Sequence, residues 1–406
     1  MQGGYLSWGD RQALQVEENT FHLEQSEEGH GRKMFVKSNN SQKEPFPRSH
    51  GRLMLGSILL AGLVIVSSIF VFARFRSERP TSLTQSSTAR SSPVIKPTSS
   101  THSNVTESKP GFRFTAAGDY GQTSYTTANL NYIAHSKVNF HLGLGDFDYD
   151  PNTSANAWSA YAKSHLPTNF PFEIVAGGHD TQIDTLTADF PDHIGHIKGT
   201  YGKEYSFDYP SATPLARFII ITPSDILPGY DYGKGSIHYN WVAQMIDGAR
   251  EAHIRWVIVA MHQYCFVIDS KSCANQDLLD LLLNKKVDLI LQAQKHTYQA
   301  SKQLALNNTT CPTLPITSYN PHCVVNATKS LTKGAGSVIV VSGTGGTMPL
   351  LSIDNSDPKI QYFRSWMGAN VNQTFGVSQF TVSSTQITMR FVPVSGGTFT
   401  DSFTIS

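Results

Sequence analysis

Hydrophobic positions fall into three regimes along the chain. Residues 1–52 are polar and mixed in charge, rich in Glu, Gln, Ser and Asn, with no period that would bury one face. A segment of that kind cannot bury enough apolar surface to offset its ordering entropy, and it reads as a disordered tail. Residues 53–73 then give 21 uncharged residues bracketed by Arg52 and Arg74. At about 1.5 Å rise per residue this run crosses a ~30 Å hydrocarbon core, so a single transmembrane helix is expected. A cleavable signal peptide is disfavoured, because about fifty residues precede the run and it is longer than a usual signal-peptide apolar region. Residues 74–110 are dominated by Ser and Thr with scattered Pro, the composition of an extended linker.

From residue 111 the pattern changes to short apolar runs that end abruptly. Runs at 112–117, 138–144, 172–176, 256–260 and 287–291 read as strands, and stretches at 126–135, 155–164, 239–252 and 276–284 read as helices between them. The later segments 337–341, 376–382, 386–391 and 398–405 are β-rich. This order predicts one α/β domain over 111–406, a layered α-β-β-α sandwich whose sites collect beyond the strand ends.

Composition changes the picture in two places. With 32 basic and 31 acidic residues the net charge is +1, and no Lys/Arg stripe marks a nucleic-acid partner. The four cysteines form two close pairs, Cys265 with Cys273 and Cys311 with Cys323. Each pair can clip a loop in an oxidising compartment, the alternative being four buried thiols. Lys43, Arg48 and Arg52 on one side of the apolar run balance Arg74, Arg76 and Arg79 on the other, so the positive-inside count is a tie. The cysteine pairs, with Asn-x-Ser/Thr sequences at Asn152, Asn308, Asn326 and Asn372, favour an inside N-terminus and an extracytoplasmic domain.

The candidate chemistry sits at the strand ends. Gly145-Asp146-Phe147-Asp148-Tyr149 ends the second run, and the three-residue spacing of Asp146 and Tyr149 lets both oxygens converge on one hard cation if the chain turns sharply. Alone, Asp-x-x-Tyr is more often a turn-capping Asp and a packing Tyr. Here it has company. Gly118-Asp119-Tyr120-Gly121, Gly177-Gly178-His179-Asp180, Val259-Ala260-Met261-His262 and Ala293-Gln294-Lys295-His296 close four further runs, so five strand ends carry Asp, His or Tyr.

In that order these motifs resemble the calcineurin-like metallophosphoesterases, and within them the purple acid phosphatases. That family is marked by Asp-x-Gly, Gly-Asp-x-x-Tyr, Gly-Asn-His-Asp/Glu, Val-x-x-His and Gly-His-x-His, of which three are intact here and two altered. The resemblance spans about 111–406 and extends to Tyr205-Ser206-Phe207-Asp208, the Trp241 helix and Ser342-Gly343-Thr344-Gly345-Gly346. It implies that Asp119, Tyr149 and His296 hold one metal, with Asp146 bridging toward a second. Two carboxylates, a phenolate and an imidazole favour iron, as Fe(III). The family's second metal takes Asn, His, His and the bridging Asp. Here Gly178 stands at the Asn and Gln294, a neutral and weaker ligand, at the first His. His262 remains, and a second divalent metal (Zn, Mn or Fe) is expected to be weakly held. His179 falls where the family places a proton donor or charge stabiliser near the scissile phosphate, with Asp180 as its orienter. The implied activity is hydrolysis of phosphate esters by a metal-bound hydroxide; a membrane-tethered binding domain retaining the fold and one metal is the alternative. The glycines 343, 345 and 346 are followed by no Lys as in a P-loop, and a tight turn is expected there.

Overall fold

A computed structural model describes residues 111–406, apart from 224, 264, 265, 271, 272 and 274. The expected tail 1–52, transmembrane run 53–73 and linker 74–110 lie outside the described residues, as does Cys265 of the expected Cys265–Cys273 pair. Among the described residues no helix is long and apolar enough to cross a membrane.

In chain order the elements are β1 (Phe112–Ala117), α1 (Ser124–His135), β2 (Phe140–Gly143), α2 (Ala155–Lys163), β3 (Phe172–Ile174), α3 (Ile183–Asp189), β4 (Lys198–Thr200), β5 (Glu204–Tyr209) and β6 (Ala216–Ile220). They continue with α4 (Ile237–Glu251), β7 (Trp256–Ala260), α5 (Gln276–Asn284), β8 (Leu289–Gln292), β9 (Tyr298–Ser301), β10 (Gln303–Leu304), β11 (Val324–Asn326) and β12 (Ser330–Leu331). The last are β13 (Val338–Ser342), β14 (Phe363–Met367), β15 (Phe375–Val382), β16 (Ile387–Ser395) and β17 (Asp401–Ile405). Four helices start where a side-chain oxygen is available to accept a first-turn N–H: Thr123, Ser154, Ser236 and Asn275 cap α1, α2, α4 and α5.

Two mixed sheets result. One runs β12-β17-β16-β15-β1-β2-β3 and the other β14-β9-β13-β8-β7-β6-β5-β4. Their inner faces share one aromatic core: Phe114 and Phe140 of the first sheet meet Phe218 of the second at ring-centroid distances of 5.2 and 5.3 Å. Helices α1, α2 and α3 cover the outer face of the first sheet through Leu130, Ile133, Trp158 and Leu186. The outer face of the second is covered by α4 and α5 through Val242, Ile246, Leu278 and Leu282. The order of layers is the expected α-β-β-α sandwich.

Register carries this architecture to the site. Parallel pairing sets Ala117 beside Gly143 and Gly143 beside Ile174 in the first sheet. The second sheet sets Ile220 beside Ala260 and Ala260 beside Leu291. The C-terminal ends of β1, β2, β3, β7 and β8 therefore open on one rim, and parallel sheets of this kind place their sites there. The sequence pattern had missed β6. Its buried Arg217 interrupts the apolar run, and in the fold that charge is neutralised across the sheet by Asp208, at 2.6 Å from Nε.

Candidate metal centre

Three of the five strands at the rim end in a bend that an ordinary side chain rarely adopts. Asp119 after β1 has φ 65°, Asp146 after β2 φ 52°, and Gln294 after β8 φ 62°. Such conformations cost of order 1–3 kcal/mol each and persist only where surrounding contacts over-determine them. The contacts are visible. The loops after β1 and β2 go on pairing past their strands, with Asp119 N–H donating to Gly145 O at 3.0 Å and Tyr120 N–H to Asp146 O at 2.9 Å. The Gly343–Gly346 turn closes over Asp119 so tightly that a Cβ at Gly343 would lie 2.6 Å from Asp119 Oδ2. Those glycines serve close packing, as expected of a turn.

Five predicted site residues come together. Tyr149 Oη donates to Asp119 Oδ1 at 2.7 Å, lies 3.1 Å from Asp146 Oδ2, and meets His296 Nε2 at 3.0 Å. His262 Nδ1 faces the Leu144 carbonyl at 2.6 Å, which fixes a proton on Nδ1 and turns Nε2 toward the carboxylates. Its Nε2 is 3.3 Å from Asp146 Oδ2, an ion contact without hydrogen-bond geometry. His296 Nδ1 is held by the Pro349 carbonyl at 3.2 Å. Ligand atoms of Asp119, Asp146 and His262 lie within 4.8 Å of one another, all buried.

Electrostatics single out the same group. Burial pushes the Asp119 carboxyl up, against the lowering charges of His262 and His296. Burial acts the same way on Asp146, but the imidazole of His262 and the His179 backbone N–H outweigh it and hold that carboxyl at about 2. For His262, burial disfavours the cation, yet Asp146 and Asp119 raise it to about 9. The Tyr149 phenol is driven far above its ordinary value by burial and by both carboxylates. A cation among these groups would reverse that environment and favour every deprotonated donor. Asp119 Oδ2 and His262 Nε2 are buried with no hydrogen-bond partner. Orphaned atoms of this kind, in a hard and mostly anionic donor set, fit a metal ion.

The remaining predicted residues sit apart. The His179 ring is exposed at the rim, 4.4 Å from the Tyr149 ring centroid, while its N–H donates to Asp146 Oδ1 at 2.8 Å. Asp180 was expected to orient His179, but its carboxylate is engaged with backbone: Oδ2 accepts from Asp146 N at 2.9 Å and Gly177 N at 2.7 Å, and Oδ1 from Phe147 N at 2.9 Å. It pins the Asp146 bend instead. Gln294 carries a buried, unpartnered Oε1. Gly178 is exposed, with only Asp146 Oδ1, 3.9 Å away, near the place its Cβ would take. Beside His179 opens a cavity of roughly 470 Å³ lined by Tyr149, Asp148, Ser154, Trp158, Gly178 and Gln182 among others. His141, unassigned from sequence, is buried against Thr115 and Tyr120 and kept neutral by burial.

This candidate metal centre sits at the rim of a two-sheet sandwich, and the chain is similar to known proteins of one kind. No known family model matches the chain. Purple acid phosphatases are its distant homologues: purple acid phosphatase 18 of Arabidopsis thaliana is 23% identical over 207 residues, 47% of this chain and 45% of its own length. Purple acid phosphatase 21 of the same plant is 24% identical over 216 residues, 48% and 46% respectively. The chain thus spans about half the length of the curated relatives it matches. Among solved structures, a purple acid phosphatase from yellow lupin (Lupinus luteus) seeds shares the fold with a TM-score of 0.52 at 17% identity, over 73% of this chain and 54% of that one. The Cys311–Cys323 disulfide is formed.

Proposed function

We propose that this chain is a membrane-anchored, metal-dependent phosphoesterase of the purple acid phosphatase type, which hydrolyses phosphate esters outside the cytoplasm. The observation that carries the reading is the convergence of Asp119, Asp146, Tyr149, His262 and His296, with two buried atoms left without a partner. Asp119, Asp146, Tyr149 and His296 would hold ferric iron. Bound there, such an ion supplies Lewis-acid polarisation of the phosphoryl oxygens and a water of lowered pKa. The chain's own residues do the rest. His179, exposed beside Tyr149, is placed to give a proton to the departing ester oxygen, and Asp180 keeps the Asp146 bend in the geometry that aims its Oδ2 inward. The cavity beside His179 receives the alcohol part of the ester. Anchoring rests on the apolar run 53–73, and the outward orientation on the Cys311–Cys323 disulfide, which belongs to an oxidising compartment.

The reading is tested on the full chain in detergent micelles, by phosphate release from an aryl phosphate before chelation, after chelation and after iron is restored. Activity should follow the metal and vanish in Asp146→Asn. A second reading, a tethered domain that binds without hydrolysis, draws on Gly178 and Gln294 standing where the family has metal ligands. It takes over if the iron-loaded chain hydrolyses no phosphoester under any metal supplement. For topology, protease added to intact cells should release a soluble fragment starting within 77–110, and protection until lysis would reverse the orientation.

A further inference from the structure

We infer that the centre takes a single metal ion, and that His262 serves the same ion as Asp119, Asp146, Tyr149 and His296. This deepens the phosphoesterase reading and rests on it. His262 belongs to the same tight group: its ligand atom and those of Asp119 and Asp146 lie within 4.8 Å of one another. Tyr149 Oη lies 2.7, 3.1 and 3.0 Å from Asp119 Oδ1, Asp146 Oδ2 and His296 Nε2, and His262 Nε2 is 3.3 Å from that same Asp146 Oδ2. Donors about 2.1 Å from a common ion stand roughly 3–4 Å apart, the spacing of all these contacts but the 2.7 Å one between Tyr149 and Asp119.

The wall where a second ion would find its ligands is bare. Gly178 has no side chain, and the space its Cβ would enter is open but for Asp146 Oδ1 at 3.9 Å. That oxygen accepts the His179 N–H, while Oδ2 of Asp146 is the one that meets Tyr149 and His262. With His262 serving the first ion, a second would be left with that shared oxygen and the neutral carbonyl of Gln294, fewer than even the three protein donors of an open site. Charge argues the same way. Two carboxylates and one phenolate balance one trivalent ion, and a further divalent ion in this buried setting would be uncompensated. Five protein donors also leave a six-coordinate ion one open position, the condition for binding substrate or water.

The test is metal content per chain on the full-length, detergent-solubilised protein, loaded with iron and then with excess zinc or manganese and desalted. One ion per chain is expected, with the visible tyrosinate band of ferric iron. His262→Ala and the milder His262→Gln, each checked for fold by circular dichroism, should lower occupancy well below one and move the band. Gly178→Asn combined with Gln294→His should raise the count toward two. Two tightly held ions in the unaltered chain would overturn the inference, as would a His262 variant that keeps one ion and an unmoved band. A Gly178→Asn/Gln294→His chain that stays at one ion would overturn the claim that these positions set the count. Because the count is read without hydrolysis, an inactive protein with one ion sinks the enzyme reading alone, and an active one with two sinks this inference alone.

Discussion

The two walls of the site are built differently. On one, Asp119, Asp146 and His262 are buried, their backbones bent into the left-handed region or their rings fixed by carbonyls, and each is tied to a partner far along the chain. On the other, Gly178 and His179 are exposed on a loop beside an open cavity. The difference separates two tasks. Holding a cation needs donors whose geometry cannot relax, whereas meeting a substrate and passing a proton needs access to solvent.

That contrast can be broken or sharpened by substitution. The largest effect is expected at the open wall: His179→Ala should lower turnover by on the order of 10² to 10⁴ while leaving metal content unchanged, measured by steady-state rates beside metal analysis. A drop in metal content would move His179 to the closed wall. Next, Gly177→Ala should destabilise the domain by about 2–3 kcal/mol in thermal or chemical unfolding, because its Cβ would fall 2.2 Å from Asp146 N and 2.4 Å from Asp146 Oδ1. Behind the same loop, Glu173 on β3 has its carboxyl pushed up to about 8 by burial first and by the charge of Asp192 second. A raised acid stabilises the fold fully below its unfolded value, near 4.5, and that contribution is lost as pH rises through 8. Unfolding at pH 5 and pH 8 should therefore show a loss of a few kcal/mol that Glu173→Gln reduces; an equal slope in both proteins would remove Glu173 from the account. The smallest effect belongs to Gly178→Ala, within about 0.5 kcal/mol of the parent, since its Cβ meets open space. Adjacent glycines with equal costs would erase the distinction between the walls.

The strand ends were legible in the sequence because each donor directly follows an apolar run, and a parallel sheet brings such ends to one rim. Less visible was what holds the donors. The Leu144 and Pro349 carbonyls that orient His262 and His296 have no side-chain signature, and Asp180 sits beside His179 in sequence while its carboxylate reaches the backbone of Asp146, 34 residues away. The short α3 lacks a side-chain cap and left no start signal. Cysteine spacing carried the Cys311–Cys323 bond, which closes a loop with a sequence separation of 12.

The most direct measurement is the rate of phosphate release from an aryl phosphate as a function of iron occupancy, on the full chain titrated from metal-free to saturated. The account predicts a rate that rises in proportion to occupancy and a tyrosinate band that grows with it, both lost in Asp146→Asn. A chain that fills with iron while its phosphate release stays at the level of Asp146→Asn would contradict it.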